Sequence, residues 1–224
     1  MKRLVLFFCL FFTLPVHAVQ LELGEGNYTA GNDIIKEKLQ CVKLRDASLY
    51  KRAKIKYKSF AKLYKKKTLE KYLRKVVFCH NLALGSFWQA RGSYNSDKKI
   101  LFIQVDRKSN DTKYLLHNEF SSILLNLHPK LNKFRDKWIS NNSVYYKPLY
   151  HMTSGKSGYR GNFPMLRMQG FLYPYSRTNF ENDFNVMAAF YKSDYLRHKL
   201  DQAAKNYSKI NNKFLLIKEF YRNF

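Results

Sequence analysis

One short run concentrates the side chains that could do chemistry: His117-Asn118-Glu119-Phe120-Ser121-Ser122. Metal-assisted hydrolysis from a single helix takes two imidazoles one turn apart, so that both reach one ion. It also takes a Glu beside the first imidazole, to accept a proton from ion-bound water. This run supplies one His and one Glu and has no second imidazole at that spacing. Ser121 and Ser122 are poor nucleophile candidates, because they sit mid-helix and not on a strained elbow such as GxSxG. Lys156-Ser157 lacks the GxxxxGK spacing of a phosphate loop.

The elements that would hold this run can be read around it. Leu116, Phe120, Ile123, Leu124 and Leu127 recur at helical intervals, which predicts a helix from about Thr112 to Leu127. Ser109-Asn110-Asp111 would open it and Pro129 would end it. Before it, Gly92 to Asp97 reads as a turn and Ile100 to Val105 as a strand. After it, 140–175 reads as loop-rich. Thr178-Asn179-Phe180-Glu181 has the spacing of a capping box, opening a helix through Phe184, Met187, Ala188 and Tyr191. Glu181 is then expected to be spent on the cap, and Asp183 is an acid near the same helix start.

The helix run Leu116 to Leu124 resembles the zincin-type metallopeptidases. In particular it is similar to small exported bacterial zinc-metallopeptidase-like proteins with an HHEFSSIL-type helix. Gly92 to Val105 resembles their turn-plus-strand, and Gly170-Phe171-Leu172 with Asn182-Asp183-Phe184 resembles their third-ligand region. The resemblance spans the 90–203 part. It implies an α+β fold, with a small, mostly antiparallel sheet and two helices in that half. It implies hydrolysis of peptide or peptidoglycan-type amide bonds, Glu119 as general base, and zinc as cofactor. The departures are specific. Aligning Glu119 with the Glu of HExxH places Asn118 at the first His and Ser122 at the second, and an E-D-F-A-E spacing places Val186 at the third ligand. Asn is a poor zinc ligand and Ser a worse one. A small rotation of the helix would offer His117 as a ligand, and Asp183 a second, with His128, His151 or His198 as a third. The expectation is a degenerate site that binds more readily than it cuts. The plainer readings are a satisfied buried histidine at 117 and a lysine-paired carboxylate at 119.

The remaining features bound the class. Lys2 and Arg3, the apolar run Leu4 to Leu14, Pro15 and Val16-His17-Ala18 form a secretory signal, predicting residues 1–18 to be cleaved. The run is shorter than the roughly 20 apolar residues that span a bilayer. Residues 19–224 are then expected as one periplasmic or secreted domain. Cleavage lowers the basic count from 41 to 39 against 16 acids, a net charge of +23. Such a charge attracts polyanions: an anionic surface, envelope components or nucleic acid. Residues 33–80 read as basic and helical, and 36–75 hold sixteen Lys or Arg with interleaved apolar and Tyr residues. Aromatics at 17% argue against disorder. Residues 19–32 read as irregular, with Gly24, Gly26 and Gly31. Cys41 and Cys79 show no CxxC spacing; in an exported chain they are expected to form a disulfide.

Overall fold

The computed structural model describes residues 18–31, 36–85, 88–105, 111–147 and 163–224. Residues 1–17 of the expected signal, Ser109-Asn110, His151 and Lys156-Ser157 lie outside the described residues. No helix among the described residues is long and apolar enough to cross a membrane.

The chain is mixed α and β. Among the described residues seven strands form one sheet: β1 Gln20–Leu23, β2 Gly26–Gly31, β3 Lys36–Lys43, β4 Lys75–Leu84, β5 Trp88–Ala90, β6 Gly92–Asn95 and β7 Ile100–Gln104. Eight α-helices among the described residues accompany it: α1 Ala47–Ala61, α2 Lys66–Tyr72, α3 Thr112–Asn126, α4 Leu131–Ile139, α5 Phe163–Met168, α6 Phe180–Lys192, α7 Asp194–Asn206 and α8 Ser208–Arg222. The pairings are mixed. β1 and β7 both run parallel to β4, and β2 touches β6 in parallel at Gly31 and Asn95. The antiparallel pairs are β2–β3, β3–β4, β4–β5 and β6–β7. The sheet is therefore larger than expected, and its central strand has parallel neighbours.

Three sequence expectations need correction. The basic segment 33–80 is not helical throughout. Its described ends are strands β3 and β4, and only α1 and α2 between them are helices. In β3 the apolar residues alternate, with Leu39 and Cys41 buried and their neighbours exposed, so the period is two. In β4 the four residues Val76, Val77, Phe78 and Cys79 are all apolar and buried, as suits a strand covered on both faces. Residues 19–32 are mostly strand, with Gly26 and Gly31 at positive φ where β2 begins and ends. Gly92 to Asn95 is strand β6, and the turn falls after it, closing at Lys99 with φ 56. The strand at 100 and the helix at 112 lie within a residue of expectation.

Alternation on β4 and β7 divides the interior. Val76, Phe78, Leu101 and Ile103 face the helices and join the large core with Phe60, Leu116, Phe120 and Phe184. Val77, Cys79 and Phe102 face the other way, into a smaller cluster with Ala30, Leu39 and Leu82. A register shift opposite Val42 and Lys43 leaves His80 unpaired in β4. One extra residue inverts the parity of a strand, so Leu82 joins Cys79 on the same face. The pairings β2–β3–β4–β7–β6–β2 close into a ring around this smaller cluster.

The disulfide expected between Cys41 and Cys79 is present and joins β3 to β4 inside that cluster. Gly24 lies over it; a Cβ there would come within 2.4 Å of the Cys41 Sγ. Constraining a loop of this length in the unfolded chain is worth roughly 3–4 kcal/mol. Urea unfolding of Cys41→Ala/Cys79→Ala is expected to show a loss of about that size. A change under about 1 kcal/mol would mean that β3 and β4 hold without the link.

Candidate functional site

Helix α3 is buried almost all round, between β6 and β7 on one side and α1 and α6 on others. Leu115, Leu116, Phe120, Ile123, Leu124 and Leu125 are the apolar part of this burial, but Thr112, His117, Asn118, Glu119, Ser121 and Ser122 are polar and buried as well. Buried polar groups are costly unless bonded, so their partners define what this helix can do.

His117 faces α1. Its Nδ1 lies 3.0 Å from the Tyr64 hydroxyl, and its ring packs on Phe60 at 4.9 Å. Burial, with the cations of Lys113 and Lys192, pushes the imidazole well below its usual range, so it is neutral at physiological pH. Its Nε2 is buried with no partner.

Glu119 points to β6. It is 8% exposed, and its Oε1 accepts from the Asn118 amide at 3.0 Å. A Cβ on Gly92 would sit 2.6 Å from that oxygen, so the carboxyl lies where only glycine leaves room. Burial pushes the Glu119 carboxyl up to about 8. The Asn118 bond opposes this, and the nearby charge of Glu181 adds to it. Tyr94 on β6 completes the wall, with its hydroxyl accepting from Asn126 at 3.1 Å. Burial and Glu181 push that phenol up as well.

Below Glu119 the helix is stitched to α6. Ser121 Oγ donates to Asn185 Oδ1 at 2.7 Å, and Asn185 Nδ2 donates to Ser122 Oγ at 2.6 Å. The cap of α6 differs from expectation. Asn179, not Thr178, accepts from the Asn182 backbone at 2.7 Å, and Thr178 donates to Tyr175 O. Glu181 is thus released from capping and stands near Tyr94 and Glu119.

Asp183 takes another direction. It is fully buried, and its Oδ2 accepts from Lys213 at 2.6 Å, Trp138 at 2.9 Å and Tyr146 at 3.1 Å. His117 and Asp183 share no bonding partner. His128 stacks on Phe220 at 5.2 Å, and His198 packs edge-on to Tyr195.

No family model matches the chain, and no curated protein matches it. Among solved structures, that of a "putative zinc-binding metallo-peptidase" from Bacteroides caccae aligns over 92% of this chain and 80% of its own. The identity is 12% and the TM-score 0.49. At that level no residue role is carried from it to this chain.

Among the described residues the donor set does not fit zinc. The positions that the HExxH alignment gives to imidazoles hold a carboxamide bonded to Glu119 and a hydroxyl bonded to Asn185. The position given to the third ligand is Val186, which is buried and apolar. Among the described residues there is no group of three or more His, Cys, Asp or Glu that could hold a metal ion. The sequence pattern points to Glu119 but carries no signal for Asn185, Tyr94 or Gly92, because Gly92 and Tyr94 lie on a strand of turn-like composition.

Proposed function

We propose that this chain is a metallopeptidase-like protein whose helix α3 binds an amide-containing ligand and does not cut it. The observation that carries the reading is the bonding of Asn118 and Ser122 to neighbours, at the positions where zinc-holding imidazoles would stand. What remains is a different chemistry. With its carboxyl near 8, Glu119 keeps a proton at neutral pH and is a hydrogen-bond donor. Beside it the Asn118 side-chain oxygen Oδ1 is buried with no partner. A donor and an acceptor side by side match the C=O and N–H of an amide. Ser121 Oγ lies 2.7 Å from both Asn118 O and Asn185 Oδ1, which ties this turn of α3 to α6 without a metal.

Elemental mass spectrometry of the purified protein, after gentle dialysis, is expected to give zinc at background. Casein peptides and peptidoglycan fragments are expected to stay intact with or without added zinc. Asn118→Leu is expected to weaken binding of the same fragments, read by fluorescence anisotropy, by about tenfold, the effect of a lost buried hydrogen-bond pair. Near-stoichiometric zinc that His117→Ala removes would overturn the reading. So would fragment hydrolysis that Glu119→Gln abolishes.

A further inference from the structure

We infer that the outward face of α1 docks the protein on an anionic phospholipid surface. Asp46 caps this helix, accepting from the Ser48 and Leu49 backbones, and no acid follows it before Glu70. Leu49, Ala53 and Phe60 turn inward to the core. The opposite face is the stripe Lys51, Ile55, Lys58 and Lys62, spaced one helical turn apart over about 16 Å. Arg52 and Lys54 flank it, and exposed Lys65 and Lys67 extend it past the helix end. Among the described residues, none of these cations forms an ion pair; the only pair in the segment beyond them joins Lys66 to Glu70.

Two features choose lipid over nucleic acid. Ile55 is 54% exposed in the middle of the cationic stripe, where an apolar tip has no value to a phosphate backbone in water. At a membrane, lysine stems lie along the headgroups and the apolar side chain enters the acyl boundary. The tyrosines of the segment are also turned the wrong way for base stacking. Tyr64 is buried, and Tyr50 and Tyr57 are half-buried against the core. Single-strand binding would need such rings exposed on the basic face. None of the stripe residues belongs to the α3 cluster, so this surface stands or falls apart from the amide-binding reading.

The test is co-sedimentation of the protein, as the cell processes it, with phosphatidylcholine vesicles that contain or lack one third phosphatidylglycerol. Each lysine at an anionic surface adds about fivefold in affinity. Lys51→Glu/Lys58→Glu/Lys62→Glu is therefore expected to lose about a hundredfold or more of the binding to anionic vesicles. Wild-type binding is expected to fall steeply with salt. Ile55→Ser should lose several-fold while leaving the charge unchanged, and circular dichroism should show both variants folded. Equal binding to neutral vesicles would overturn the inference, as would a triple variant that binds like wild type. Binding to a single-stranded oligonucleotide but not to vesicles would assign the stripe to nucleic acid and also overturn it.

Discussion

Lys213→Met is expected to lower folding stability by about 3–5 kcal/mol, the cost of leaving one member of a buried ion pair alone. For a chain of this size, that is a fall in melting temperature of roughly 10 °C. Lys213 and Asp183 are both fully buried, 2.6 Å apart. The ammonium also donates to Gly170 O at 2.6 Å and to Asn142 Oδ1. It lies over the rings of Trp138 and Phe171. One cation therefore joins α8 to α6, to the end of α4 and to the turn before Phe171. Burial pushes the Asp183 carboxyl up and the Lys213 amine down even though they face each other. Desolvation thus outweighs pairing for each group, and the pair is better understood as fixing helix positions than as a source of net stability. Asp183→Asn should cost less than Asp183→Leu, because an amide oxygen still accepts from Trp138 and Tyr146. In thermal and urea unfolding, a Lys213→Met loss under about 1 kcal/mol would mean the pair is dispensable. The fixing matters for the site, because Asp183 and Asn185 share α6, and Asn185 is what stitches that helix to Ser121 and Ser122.

That hub was partly legible. In α8 the buried residues Ile210, Phe214, Ile217, Phe220 and Tyr221 recur at threes and fours, and Lys213 falls on the same stripe. A lysine on an apolar stripe calls for a buried acid, but no local pattern says that the acid is Asp183, thirty residues earlier. The same limit explains the N-terminal half. The lysine-rich run from 36 to 75 has helical spacing only where α1 and α2 form. At its ends the period of two in β3 and the unbroken apolar run of β4 were hidden by the charge around them. The helix bearing His117 and Glu119 was readable because its apolar residues carry a clean period. Its surroundings were not, since Gly92 and Tyr94 sit on a strand whose Gly-Ser-Tyr-Asn sequence has turn composition. Strand pairing to β7 overrode that local preference.

Glu119→Gln is expected to remove a pH dependence of several kcal/mol from folding. The carboxyl is raised from 4.5 to about 8 in the folded chain. The folded state therefore holds this proton more tightly than the unfolded state does. Its contribution is fully present below pH 4.5 and is lost as pH rises to about 8. A shift of that size corresponds to about 4–5 kcal/mol across the window. The cause is local: the carboxyl is packed against Gly92, faces Glu181, and has a single neutral amide donor. Gln has the same shape, still accepts from Asn118, and does not ionise. Unfolding free energies measured from pH 5 to pH 9 should diverge for the two proteins. They should be close at the acid end, with the variant more stable above pH 8. Curves that stay parallel would mean that Glu119 is ionised in the folded protein. Glu119 would then be an acceptor where the amide-binding reading needs a donor, so the one titration also decides which partner the site can hold.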